Sequence, residues 1–328
     1  NEVVPARVAP LAENMVKWGQ VNTWVSSSDA AAFRALPHEV DVMLVDAPCS
    51  GSGLFRKIPE YVNQWHAGML SVCAQRQKKI LEDAWPCLKP GGLLVYMTCS
   101  FSEEENELIT DFILEQFPVQ SVQINKPSNW QIVETESPVK HGYGYRFFPN
   151  LVRGEGFYVS VFQSIETKVR SPKKLSAQTS KERSVSGIDL LRPLEQLQQH
   201  ILIQQEEQLF VLHEAHRSRW TRLSQALRMT RKGVLAGKLV HSVFQPDHEL
   251  AMYHGLTLAA PRYSFSREQA LHYLARENPV LQEAPPGWLL ACYEQQVLGW
   301  MKHLGTRTNN YYPAGYRIQN RQILTRED

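Results

Sequence analysis

The sequence predicts an α/β fold in its first half, a mostly parallel sheet layered with helices, followed by two small α+β domains. Three observations carry this reading. Through residue 164, apolar β-rich runs alternate with stretches of helical periodicity, the order that builds a parallel sheet with helical crossovers. Two of those runs, VMLV at 42–45 and LLVYM at 93–97, each end within a few residues in a cysteine, inside DAPCSGSG (46–53) and TCS (98–100). The charge also changes sign along the chain. Residues 1–164 hold 13 Lys and Arg against 18 Asp and Glu, and the remainder holds 22 against 15. A mildly acidic half joined to a basic one suggests a catalytic part and a part that meets a polyanion.

The elements follow in order. NEVVPARVAPLAENMVKWG at 1–19 reads as the end of a strand and its helix, and 21–25 is a short β-rich run. Ser28 or Asp29 can cap a short helix to Leu36. Residues 41–46 are expected as a buried strand, being apolar at nearly every position. Met69, Val72, Cys73, Ile80, Leu81, Ala84 and Leu88 recur at helical spacing, which predicts a helix over 68–88 stopped by KPGG at 89–92. The next strand is 93–97. Ser102 and Glu105 have capping-box spacing for a helix to about Phe117. The acidic run 103–105 then reads as favourable first-turn charge without a catalytic role. Two aromatic strands, 143–149 and 156–162, close the half as an antiparallel hairpin.

The expected organisation is a catalytic domain at 1–164, a Ser- and Lys-rich linker at 165–186, a first C-terminal domain at 187–245 and a second at 246–328. The linker is polar and aperiodic. The first C-terminal domain holds the strand-like ILIQQEEQLFVLH, then RSRWTRLSQALRMTRKG and VLAGKLVHSVF. The second opens with a helix over 266–277 capped by Ser266, then a hairpin turning at 294–296. A doubly wound nucleotide-binding sheet normally starts with a strand and a glycine-rich turn, and neither is found here, so the chain reads as part of a longer reading frame.

Composition narrows the class. At 328 residues, 43% hydrophobic and 21% charged, this is an ordinary globular chain with no apolar run long enough to span a bilayer. Five cysteines without CxxC spacing argue against a disulfide framework or a zinc site. A reducing cytoplasm, no membrane, no metal and a monomer are the expectations.

In an open α/β sheet, ligands gather at the carboxyl ends of strands. Cys49 and Cys99 both lie just past such ends, and neighbouring strands would turn them into one crevice. Either cysteine alone reads as packing. Together, with the acid Asp46 and small neighbours, they suit attack on an electron-poor ring carbon. A thiolate adding to carbon 6 of cytosine turns carbon 5 into a nucleophile for a methyl group on a sulfonium. Asp46 can hydrogen-bond the base edge or the donor, and residues 50–53 allow close backbone approach.

DAPCSGSG followed by Arg56-Lys57, LKPGG at 88–92, YMTCSFSEEENE at 96–107, and FP with GEGFYV at 148–159 resemble the bacterial RNA 5-methylcytosine methyltransferases. Among them the small-subunit ribosomal RNA methyltransferase F group is most alike, with these motifs in the same order over residues 1–163. The resemblance implies a Rossmann-like class I methyltransferase domain using S-adenosyl-L-methionine, with ribosomal RNA or the small ribosomal subunit as partner. It makes Cys99 the nucleophile, Cys49 the residue that resolves the covalent adduct, and Asp46 a group between donor and base. Glu2 matches the acid that holds the donor's ribose. Asp29 matches an adenine contact, a role compatible with capping a helix. The family's glycine-rich donor loop does not occur in these 328 residues.

Arg56 and Lys57 read either as phosphate-steering or as solvated charges. Arg217, Arg219, Arg222, Arg228, Arg231 and Lys232 cluster around Trp220, a pattern suited to phosphate contact with base stacking, or to a solvated face. The tail, with GTRTNNYYP at 305–313, resembles a PUA-like RNA-binding domain, which makes Lys302, Arg307 and Tyr311 further RNA contacts. Two other readings remain open. One is the same chemistry on transfer RNA or large-subunit RNA; the other is a non-catalytic RNA-binding assembly factor.

Overall fold

The computed structural model describes residues 1–167, 183–184, 188, 191, 199–241, 243–255 and 260–320. The expected linker lies outside the described residues, except for 165–167 and 183–184. The chain divides into two compact units, residues 29–175 and residues 1–28 with 176–328.

Helix α1 (Pro5–Trp18) and strand β1 (Trp24–Ser26) open the chain and belong to the second of these units. The expected catalytic block 1–164 is therefore divided in its packing. The cause is local: β1 pairs antiparallel with β11 (Met229–Lys232), placing Trp24 opposite Lys232 and Val25 opposite Arg231. Arg231 is 3% exposed, and its guanidinium donates to the carbonyls of Thr23 and Gln20 while pairing with Glu249 at 3.2 Å.

Residues 29–175 are built on one six-stranded sheet. Its main path runs β2 (Val40–Asp46), β3 (Leu88–Thr98), β7 (Phe157–Ser164), β6 (Tyr143–Phe147) and β5 (Val133–Glu136), with β4 (Val119–Ser121) pairing β7 off this path. Strands β2 and β3 are parallel, with Asp46 level with Met97, so both chains leave the sheet on the same side. The aromatic hairpin is present as the antiparallel pair β6–β7. Helices α2 (Gly68–Ala84) and α3 (Glu107–Gln116) contribute Leu81, Ile109 and Ile113 to a core shared with Leu94, Tyr96, Tyr158 and Phe162.

Three local expectations are corrected. Strand β2 is not buried: it is the terminal strand of the described sheet, and Val42 and Leu44 are 50% and 65% exposed. The α2 helix stops at Ala84, ahead of Pro86, and KPGG lies inside β3. Ser102 makes no side-chain cap, and the reciprocal half of the capping box is missing too: Glu105 turns inward, and the Ser102 amide donates to Ser100 Oγ at 3.1 Å.

The second unit holds two sheets. One orders β13 (Val243–Pro246), β12 (Val234–Val240), β10 (Gln208–His213), β9 (His200–Gln205) and β8 (Arg183–Ser184), with α4 (Arg217–Ala226) and α5 (His248–Met252) beside it in sequence. The other orders β14 (Arg262–Ser264), β15 (Gly287–Tyr293), β16 (Gln296–His303) and β17 (Thr308–Asn310). The β15–β16 turn places Glu294 and Gln295 at φ 45° and 69°, the left-handed pair that a two-residue hairpin requires. Ser266 and Gln269 form a full capping box on α6 (Arg267–Leu274). Leu209, Val211, Val234, Leu250, Leu290 and Trp300 share one core, so the two expected C-terminal domains pack as a single unit.

Candidate active site: two thiols at adjacent strand ends

The loops after β2 and β3 are laced together by backbone bonds. The Ala47 amide donates to Met97 O at 2.9 Å, and the Gly53 amide to Cys99 O at 2.9 Å. A Cβ on Gly53 would stand 2.3 Å from Cys99 O, so only glycine allows this approach. Ser52 Oγ accepts from the Phe101 amide at 2.9 Å, and Gln77 Nε2 of α2 donates to Pro48 O at 3.1 Å. The result is that Cys49 Sγ and Cys99 Sγ lie 3.0 Å apart, both half-buried and both free thiols.

At that separation one S–H donates to the other sulfur, and the pair shares a proton. The Cys99 thiol holds Cys49 down at about 7, helped by the Gly51 and Cys99 amides and opposed by burial and Glu105. Once Cys49 carries the charge, the Cys99 proton is pinned between the sulfurs, and Cys99 is pushed well up by that bond, by burial and by Asp46. The arrangement is a thiolate in hydrogen-bond contact with a thiol. It can move a proton between two nucleophilic atoms at near-neutral pH.

The centre of the site is a residue that sequence reasoning set aside. Glu105 is fully buried, and its carboxylate accepts four hydrogen bonds with no cation beside it among the described residues. Ser50 N and Gln77 Nε2 reach Oε1 at 2.8 and 3.1 Å, and Ser50 Oγ and Ser100 Oγ each reach Oε2 at 2.6 Å. Asn106, also fully buried, donates to Ser100 O at 2.8 Å and accepts from Thr98 Oγ1 at 2.6 Å. Next along, Glu107 pairs with Arg146, whose Nη1 donates to Phe101 O at 2.7 Å. These contacts turn inward from SEEENE, which in sequence shows only a run of acids at a helix start.

Asp46 ends β2 with an exposed carboxylate, close enough to Cys99 to raise it. Such an anion at the strand end suits a sulfonium or an amino group. Asp29 caps the 3₁₀ turn Ala30–Ala35, accepting from the Ala31 amide at 2.9 Å on one carboxylate oxygen. Glu2 belongs to the other unit, where its carboxylate meets Arg7 at 3.1 Å and the Val4 amide at 2.9 Å. Arg56 and Lys57 are exposed on the 46–58 loop, with Arg56 donating to Gly154 O at 3.1 Å. Among the described residues, no group of three or more His, Cys, Asp or Glu could hold a metal ion, and no helix is long and apolar enough to cross a membrane.

The basic cluster is only partly a surface. Trp220 is 1% exposed and donates from Nε1 to Lys232 O at 2.7 Å, so it packs the core and offers no stacking face. Arg231 is buried against Glu249 and residues 20–23, and Lys232 Nζ reaches Gln205 Oε1 at 2.9 Å. Arg217 and Arg228 are exposed, whereas Arg219 and Arg222 are half-buried on α4 and neither lacks a partner. In the last sheet, Lys302 Nζ sits 5.3 Å above the Trp288 ring, which also meets the Tyr311 ring at 4.6 Å and the Trp300 ring at 6.2 Å. Arg307 is exposed at the turn before β17.

Residues 1–163 match the family model of the 16S rRNA methyltransferase RsmB/F, and residues 260–318 match that of the methyltransferase RsmF PUA domain. Along 95% of its length the chain is 27% identical to a ribosomal RNA small subunit methyltransferase F of Erwinia tasmaniensis and 29% identical to one of Shewanella sediminis. It spans 66% of the length of each of these relatives. Among solved structures, NSun6 from Pyrococcus horikoshii with SFG is 23% identical with a TM-score of 0.43, over 50% of this chain and 40% of that one.

Proposed function

This chain belongs to the RsmB/F family of 16S rRNA methyltransferases, and on that premise we propose that it methylates carbon 5 of a cytosine in small-subunit ribosomal RNA. The donor would be S-adenosyl-L-methionine, the place of work the cytoplasm, and the partner ribosomal RNA or the small subunit. The observation that carries the reading is the pair of thiols in contact at 3.0 Å.

Asp46, with Asp29 by resemblance to the family, would hold the donor; Glu2, which the resemblance also offers, belongs to the other compact unit. When bound, the donor supplies a methyl group on a positively charged sulfur. The Cys49 thiolate takes the proton of Cys99 across their short contact. The Cys99 thiolate then adds to carbon 6 of the flipped cytosine, and carbon 5 becomes the nucleophile. After methylation, carbon 5 still carries its hydrogen. Cys49, having lost its own proton to water, removes that hydrogen. The bond from Cys99 to carbon 6 breaks with it, and Cys99 leaves as a thiolate. The proton on Cys49 then crosses the short contact to the Cys99 thiolate, so that one proton is released per methyl transferred and both cysteines return to their starting state.

The test is adduct trapping in the protein expressed from its whole reading frame. Cys49→Ala incubated with 16S rRNA and donor should accumulate a protein–RNA band on a denaturing gel: its Cys99 loses its proton to water, more slowly, and nothing then removes the carbon-5 hydrogen to release the adduct. Cys99→Ala should give none. The reverse pattern would exchange the two roles. Wild-type protein that leaves no 5-methylcytosine in 16S rRNA would sink the reading, and a signal confined to transfer RNA or large-subunit RNA would redirect it.

A further inference from the structure

We propose that Glu105 is the positioning residue of the thiol pair: its buried carboxylate ties together the residues that follow each cysteine and so sets the distance between the two sulfurs. The inference deepens the proposed function and rests on it for its purpose, though its geometry stands apart from any substrate.

Ser50 directly follows Cys49, and Ser100 directly follows Cys99. Both hydroxyls converge on Oε2 of Glu105 at 2.6 Å, while Oε1 takes the Ser50 amide and Gln77 of α2. One carboxylate therefore spans the β2 loop, the β3 loop and a helix. Tyr96 of β3 fixes the other end of the same residue, its hydroxyl donating to Glu105 O at 2.6 Å. A buried carboxylate without a cation is expensive unless it is fully hydrogen-bonded, and here the required donors come from the two catalytic loops. If either loop moves, the carboxylate loses partners in a dry site, and this penalty makes the carboxylate a spacer.

The charge and the spacing pull the thiols in opposite directions, so they can be separated. As a negative charge, Glu105 pushes Cys49 up. As a spacer, it keeps Cys99 where its S–H holds Cys49 down, the larger effect. The other groups that face the pair are Asp46 from β2, Cys73 from α2 and Tyr96 from β3. None of them bridges the two loops through its side chain.

The experiment measures iodoacetamide alkylation of Cys49 against pH, by mass spectrometry of its peptide, with no RNA and no donor. It therefore reads the thiols whether or not the RNA assignment is right. Glu105→Ala should slow alkylation at pH 7 about tenfold, as the Cys49 midpoint climbs back toward that of a free thiol. Glu105→Gln can keep the four contacts by turning the two serine hydroxyls round, and should alkylate at the wild-type rate or faster. If Glu105→Ala does not fold, Ser100→Ala decides, with an expected slowing of about threefold. An alanine variant that melts like wild type and alkylates at its rate would overturn the proposal. So would a glutamine variant as slow as the alanine one, or an unchanged Ser100→Ala.

Discussion

Cys49 and Gly53 show how single residues limit this site. Cys49 is held down to about 7, so its thiolate is lost as the pH falls below that value. A protonated Cys49 cannot take the proton of Cys99. Methyl transfer should therefore fall about tenfold per unit below pH 7 and level off above it, measured as initial rates across pH 5.5–8.5. The Gly53 position is steric. Alanine there would drive a methyl group into Cys99 O, which must shift and take its thiol along. Gly53→Ala should keep its fold by circular dichroism yet form adduct at least about tenfold more slowly. In sequence both cysteines were legible, because each sits in a motif at the end of an apolar run. Glu105 was not. Its spacing to Ser102 is that of a capping box, and nothing local shows that its carboxylate turns toward Ser50, 55 positions away.

At the scale of elements, the pairing of β1 with β11 rests on a buried ion pair. Arg231 donates to Gln20 and Thr23 and meets Glu249, itself pushed up to about 7 by burial. Removing one partner leaves the other charge buried and unpaired. Arg231→Met should cost about 3–5 kcal/mol in urea unfolding of the unit that holds residues 1–28. Helix and strand existence was largely legible from periodicity: α2, α3, the β6–β7 hairpin, the Ser266 cap and the 294–296 turn all occur, although α2 ends at Ala84 and α3 begins only at Glu107. Partners were not legible. A three-residue strand such as β1 carries too few side chains to specify what it pairs with, and RSRWTRLSQALRMTRK looks like a basic surface until Trp220 and Arg231 are seen to be buried.

For the whole molecule, the charge contrast survives the change in packing, because residues 1–28 hold two cations and two anions. The net positive charge of the second half is what the proposed contact with a polyanion needs. Lys302 lies on β16, half-buried over Trp288, and Arg307 is exposed in the turn before β17, both within the residues that match the PUA model. If both contact phosphate, replacing them with alanine should reduce the slope of log K against log salt for 16S rRNA binding by about 1.5–2. Binding would weaken alike across RNA sequences in a filter or mobility-shift titration, and an unchanged slope would remove both residues from the interface.

By itself, the sequence determined the α/β order, the two cysteine loops, the likeness to RNA cytosine methyltransferases and the basic tail. These are local: short motifs and apolar periodicity record what a few neighbouring residues must do. Only the tertiary structure decided that the sulfurs stand 3.0 Å apart, that Glu105 lies between their loops, that Trp220 and Arg231 are interior, and that residues 1–28 pack with the C-terminal half. The physical reason is that burial and pairing belong to contacts between distant segments. A carboxylate is written the same way in sequence whether it faces water or closes a dry cage.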